Sequence, residues 1–248
     1  VTNSTIKYGA PLAQNYNRFH QQPDCLFTLQ LEKIKHYLNI TPSDNILDVG
    51  CGSGRLFIPL QQQATIWGVE QSEEMIAQIP QELKHLIFKE DFCKFVKVNY
   101  PLFDSAYFSF SLHQMGTKLD QLHLLQKTFS FCLKPRGKIL LISVSRSQFD
   151  QVTINQFFPK IKEIDEKRFL FEESLSSMFH LKIKDEQNVY STITKETLYE
   201  YVKNKYISTL QLLTPEEYEK GLNRIERFEE KEIPYLDCYT YYLLEEKK

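Results

Sequence analysis

The 248-residue sequence has little of what marks a specialised chain. With only 8 glycines and 10 prolines, collagen-like and low-complexity classes are excluded. The five cysteines, Cys25, Cys51, Cys93, Cys132 and Cys238, are odd in number, scattered and without a CxxC pair. That excludes a disulfide framework or a zinc cluster and suits a reducing compartment, so no metal and a cytoplasmic location are expected. No run approaches the ~18 consecutive apolar residues of a membrane-spanning helix, and the first twenty residues lack a basic-then-apolar secretory signal. Positive charge is not in excess either: 30 basic against 32 acidic residues leave a net charge of -2, which offers no global field for a phosphate backbone. Membrane and nucleic acid are therefore not expected partners, and the oligomeric state is left open.

What is present is the composition of an ordinary globular protein, 42% hydrophobic and 25% charged. Residues 29–38 space apolar side chains three and four apart, which predicts an amphipathic helix ended by Thr41-Pro42. Short apolar runs at 45–49, 65–70, 86–90, 104–110 and 138–144 read as strands, with helices over 55–63, from Ser72 and over 119–133 between them. That alternation implies a doubly wound, mostly parallel α/β sheet covered on both faces. Beyond residue 150 the rhythm changes. Residues 171–178, 195–205 and 215–231 read as helices, 180–193 and 237–244 as strands. The stretch separating the last two strands suits a helical lid at about 194–231. The expected organisation is one domain over 1–248: an N-terminal helical cap (1–40), a binding core (41–150), and the last strands with the lid (151–248).

Three of the eight glycines, Gly50, Gly52 and Gly54, fall within five positions between a predicted strand and a predicted helix. Glycines there permit a sharp turn and let a ligand lie against the backbone. The dinucleotide fingerprint requires a glycine where Arg55 stands, and no Gly-Lys-Ser/Thr follows for a phosphate loop. Glu70 ends the second strand 20 residues after Gly50, where a carboxylate can accept from both hydroxyls of a ribose. Asp91 ends the third strand, followed by Phe92, placed to read an exocyclic amino group. Asp48 adds a carboxylate near the end of the first strand. Three acids at the ends of consecutive strands point to a nucleoside site.

The segments ILDVGCGSGRL (46–56), WGVEQSEEMI (67–76), KEDFCKF (89–95), FDSAYFSFSLHQM (103–115) and LKPRGKILLISV (133–144) resemble the successive motifs of class I S-adenosylmethionine-dependent methyltransferases. The resemblance implies a Rossmann-like seven-stranded sheet whose last strand runs antiparallel. It implies S-adenosylmethionine as cofactor and S-adenosylhomocysteine as product. It puts Gly50, Gly52 and Gly54 against the methionine and ribose, and Glu70 on the ribose hydroxyls. Gln71 and Met75 then flank the adenine, Asp91 and Phe92 meet its edge, and Ser109 lines the methyl-transfer channel. Cys51 fills a motif position that needs a small residue in a tight turn. Tyr16-Asn17-Arg18 resembles a Tyr-Asp-Arg signature whose Tyr16 and Arg18 close over the methionine carboxylate; Asn17 departs from it.

Methyl transfer asks mainly for alignment and exclusion of water, with a base where the nucleophile carries a proton. His113, just beyond the fourth strand, is the candidate base because its ordinary pKa lies near neutral; a histidine there also serves as pocket wall. No Pro-Cys dipeptide and no amino-methylating Pro-Pro motif after the fourth strand is present, which disfavours nucleic-acid bases as acceptors. The expected acceptor is a small molecule methylated in line at oxygen or nitrogen, with Tyr199 and Tyr206 of the lid lining its pocket. The competing reading is a protein that binds S-adenosylmethionine without transferring its methyl.

Overall fold

A computed structural model of the chain describes residues 24–98 and 100–247, together with Ala13 and Tyr16. Its strands are β1 (Asn45–Val49), β2 (Thr65–Glu70), β3 (Ile87–Lys89), β4 (Phe103–Ser109), β5 (Leu133–Ser143), β6 (Phe179–Thr194) and β7 (Glu232–Glu246). They form one seven-stranded sheet in the order β3-β2-β1-β4-β5-β7-β6. The first five strands pair in parallel, and β7 runs antiparallel to both β5 and β6. This is the Rossmann-like sheet with an antiparallel last strand that the sequence implies. β1 pairs with β2 on one side and β4 on the other, so the strand order reverses there. A crevice opens at the carboxyl ends of those strands.

Period-two alternation divides the buried residues between the two faces. Leu47 and Val49 of β1 and Phe108 of β4 enter a core shared with Phe92, Leu125 and Tyr242. Ile46 and Tyr107 face the other way, into a core with Ile34, Phe57 and Tyr241. Ile34 belongs to helix α1 (Asp24–Leu38), which is tied to β6 where Lys33 and Tyr37 both bond Asp185. Both faces are thus covered, which is why the strand sequences read as continuous apolar runs.

The crossovers after β1, β2 and β3 carry single-turn helices: α2 (Phe57–Leu60), α3 (Glu73–Ile76) and α4 (Phe92–Phe95). The first is shorter than the expected 55–63 helix, and Pro59, which lacks an N–H, stands inside its one turn. α5 (Lys118–Lys127) begins at a Thr117/Asp120 capping box and runs into a π turn over Thr128–Cys132. Four helices follow β5: α6 (Arg146–Phe149), α7 (Ile154–Phe157), α8 (Pro159–Arg168) and α9 (Glu172–Met178). The first three are not signalled by apolar period, being short or carrying few apolar residues.

β6 and β7 are longer than expected, β7 starting at Glu232 rather than 237. Pro234 argues locally against a strand, yet Pro234 pairs with Thr192 and its carbonyl accepts from Thr153 Oγ1 at 3.2 Å. The connection between β6 and β7 holds α10 (Lys195–Lys203), a 3₁₀ turn (Ser208–Leu212) and α11 (Pro215–Glu226). These helices pack with α7, α8 and the outer ends of β6 and β7 around Phe157, Phe158, Leu198, Val202 and Ile225. The insertion is therefore assembled from two stretches of chain. No helix among the described residues is long and apolar enough to cross a membrane.

Candidate functional site

At the end of β1 the chain turns through Gly50, whose N–H donates to Val69 O at 2.8 Å. Gly50 has φ +74°, and a Cβ there would lie 2.5 Å from Ser111 Cβ. Ser111, just beyond β4, is buried and donates to Val49 O at 2.5 Å. Only glycine combines that backbone with that closeness. Gly52 (φ +56°) donates its N–H to Glu70 Oε2 at 3.0 Å, and Ser72 donates to Oε1 at 2.8 Å. The Glu70 carboxylate is thus fixed by one amide of the glycine turn and one at the N-cap of α3. Burial raises its pKa while the amide bonds pull it down.

A cavity of about 450 Å³ opens over this turn. Its lining brings together Tyr16, Gly50, Gly52, Glu70, Gln71 and Met75, and, across from them, Asp91, Phe92 and Ser109. Asp91 caps α4, accepting from Lys94 N–H at 3.2 Å. Phe92 is buried edge-on against Phe108, ring centroids 5.5 Å apart. Met75 is buried with its Cε beside Gly52.

Asp48, Cys51 and Gly54 are not on the cavity's lining. Asp48 is buried under the turn and accepts from Tyr107 O–H at 2.7 Å; burial pushes its pKa up to about 7. Cys51 is buried with Sγ over Gly68, and burial, with Asp48 and Glu70 nearby, raises its thiol pKa well above normal. It is a packing residue of the turn, not an activated thiol. Gly54 closes the turn, its N–H donating to Cys51 O at 3.0 Å. Arg18 lies outside the described residues. Burial raises the Tyr16 pKa, and Arg55 opposes that rise.

His113 is half-buried and stacks on Phe169, ring centroids 4.2 Å apart at 11°. Burial, and then the Arg168 guanidinium, hold its pKa well below normal, so the imidazole is neutral. It is beside the cavity's Ser111 wall but not on the lining. Tyr206 is buried in the core of the helical insertion, its hydroxyl 2.9 Å from that of Tyr235. Tyr199 is half-buried against the same core. Neither tyrosine lines the 450 Å³ cavity. A second cavity of about 650 Å³ lies beside the outer end of the hairpin, with Val152, Tyr190 and Tyr235 in its wall. Among the described residues no cluster of three or more His, Cys, Asp or Glu could hold a metal ion.

Sequence reasoning missed Phe110, Ser111, Gln114 and Met115, which also line the cofactor-sized cavity. Their signal is weak: the only mark is a polar break, Ser109-Phe110-Ser111, directly after an apolar strand. Phe110 adopts φ +48°, uncommon for a bulky side chain and a feature no residue pattern announces.

Residues 19–182, well over half of the chain, match the family model described as a methyltransferase domain. The chain belongs to that family, the class I S-adenosylmethionine-dependent methyltransferases, and is a methyltransferase. No curated protein is significantly similar to it in sequence. Among solved structures, the YcgJ protein of Bacillus subtilis shares 12% identity at TM-score 0.59, covering 91% of this chain and 100% of its own. A SAM-dependent methyltransferase from Thiobacillus denitrificans, in complex with S-adenosyl-L-homocysteine, shares 15% identity at TM-score 0.54, covering 95% and 97%. Geranyl diphosphate C-methyltransferase from Streptomyces coelicolor shares 12% at TM-score 0.50, covering 90% and 80%. At such identities these likenesses speak to the fold.

Proposed function

We propose that the 450 Å³ cavity binds S-adenosylmethionine and that the chain transfers its methyl to an oxygen or nitrogen of a small molecule. The observation that carries this reading is the Glu70 carboxylate, held by the Gly52 and Ser72 amides at the cavity wall. Each oxygen keeps a second lone pair for a ribose hydroxyl. The residues present fit the cofactor: a glycine turn with no room for a Cβ at Gly50, an acid on the ribose side, and Met75, Asp91 and Phe92 around a flat ring. Tyr16 covers the methionine end, with Arg18 assigned the same role from its motif.

When bound, the cofactor supplies a methyl already activated on a sulfonium. The protein's part is then to align the acceptor behind that methyl, exclude water and accept a proton. The buried Phe92 and the Phe110 wall give the cavity its apolar side. His113, stacked on Phe169 behind the Ser111 wall and held well below its usual pKa by burial, is a weak base and serves the site as packing. The helical insertion acts as the lid over the acceptor, with Tyr199 and Tyr206 packing its own core rather than facing the cofactor cavity.

Calorimetric titration of S-adenosylmethionine and NAD into wild type and Glu70→Ala tests the reading. We expect selective binding of S-adenosylmethionine, weakened about 10- to 100-fold in the variant, as for loss of hydrogen bonds to a charged group. Binding of NAD instead, or a Glu70→Ala affinity equal to wild type, would overturn it. A one-methyl mass gain on a small-molecule acceptor completes the assignment.

A further inference from the structure

Alternation along β7 puts Tyr235, Asp237, Tyr239 and Tyr241 on one face of the sheet. The Tyr239 ring meets Phe110 edge-on at 5.8 Å, and Phe110 is a wall of the cofactor cavity. The Tyr235 hydroxyl is paired with Tyr206 inside the helical insertion. Asp237 stands between these two tyrosines, half-buried, and no hydrogen bond to its carboxylate is among those of the described residues. Arg55, immediately after the glycine turn, is the charged group whose field reaches it, as it also reaches Asp48 and Tyr16. Burial raises the Asp237 pKa to about 6 despite Arg55. A carboxylate without hydrogen-bond donors, half removed from water and flanked by aromatic rings, is costly unless a donor fills the space.

We propose that the methyl acceptor is an amine and that Asp237 binds it between the cofactor cavity and the helical insertion. The inference rests on the methyl-transfer reading above and narrows its acceptor. An amine nitrogen carries two or three hydrogens, enough for the carboxylate and a tyrosine hydroxyl together, whereas an alcohol oxygen carries one. The rings of Tyr235, Tyr239 and Phe110 favour a cation over a neutral group. The bound ammonium first gives one proton to the Asp237 carboxylate; the lone pair so freed forms the new N–CH₃ bond, and sulfur keeps the electron pair of the S–CH₃ bond it loses. The methylated nitrogen leaves as the ammonium, and the proton on Asp237 passes to water.

The test uses the full chain, wild type and Asp237→Asn. Benzylamine, 2-phenylethylamine and tyramine are each offered beside the alcohol of the same shape, with S-adenosylmethionine carrying a ¹³C methyl, and products are read by mass. The same amines are titrated calorimetrically into protein loaded with S-adenosylhomocysteine, after S-adenosylmethionine affinity has been measured for both proteins. We expect amines to bind and gain a methyl in preference to their alcohols. Asp237→Asn should weaken amine binding at least tenfold and erase the preference, with S-adenosylmethionine affinity within twofold of wild type; Asp237→Glu should restore part of it. Preferred methylation of the alcohols, no binding of any amine, or equal amine affinity in Asp237→Asn would overturn the proposal. Failure of wild type to bind S-adenosylmethionine would instead bring down the methyl-transfer reading beneath it.

Discussion

The crossovers between β1 and β4 and the helical insertion between β6 and β7 place their key groups in different ways. In the first, Gly50, Gly52, Glu70, Ser72 and Asp91 each sit within three residues of a strand end, and the amide bonds to Glu70 span at most 18 positions. In the second, Tyr206 is set by Tyr235, 29 positions away, and the insertion's core is completed by Phe157 and Phe158 from before β6. One region is specified by local turn chemistry, the other by packing between distant stretches. On the function proposed above, the cofactor side rests on that local turn chemistry and the acceptor side on a separate small core.

Substitutions can break that contrast, the largest effect first. Gly50→Ala combines a left-handed backbone with a contact into Ser111, together about 3 kcal/mol. Cofactor affinity measured by calorimetry should fall about 100-fold or more, with the helical insertion's amide-exchange protection retained.

Asp48 gives the cofactor side a pH signature. Its pKa stands at about 7 against an ordinary 3.8, so the folded chain holds this proton more tightly than the unfolded one. Its stability contribution is therefore greatest below about pH 4 and is lost as pH rises to about 7, at up to about 1.4 kcal/mol per pH unit. Denaturant midpoints of wild type and Asp48→Asn, compared at pH 5 and pH 7.5, should diverge in favour of the variant at the higher pH. Parallel midpoints would show that Asp48 is ionised in the fold.

Gly221→Ala tests the other region. A Cβ at Gly221 of α11 would overlap the Phe158 ring, an overpacking that costs about 1–3 kcal/mol. We expect the loss to appear as increased amide exchange in α10 and α11, with S-adenosylmethionine affinity unchanged. A fall in that affinity would show that the two regions are coupled. The smallest effect is expected from Tyr206→Phe, which removes one hydroxyl pair worth about 1 kcal/mol. It should lower the melting midpoint by a few degrees, and a larger drop would mean that Tyr235 and Asp237 depend on that pair.

The first half of the fold was legible because its signals are short-range. An apolar run, a glycine turn and an acid at the next strand's end are all stated within a few residues, and β1 to β5 lie where the residue pattern puts them, the start of β5 excepted. The short α2 and the extended β7 were not legible. At Pro234 the local message against a strand is overridden by pairing with β6, and at Pro59 the missing N–H, which the apolar pattern does not register, holds α2 to one turn. Nor could residue pattern show that Tyr206 faces Tyr235 rather than the cofactor cavity, since a tyrosine on a helix has the same signature in either setting.

By itself the sequence determined the strand, glycine turn and acid series, and hence the family and the class of cofactor it implies. These depend on backbone sterics and on side chains only a few positions apart. Tertiary structure alone decided that Ser111 crowds Gly50, that Tyr107 buries its hydroxyl on Asp48, and that Tyr239, next to Asp237 on one face of β7, meets Phe110. Those contacts join residues about 60 to 130 positions apart in sequence, and only the pairing order of the strands closes such loops.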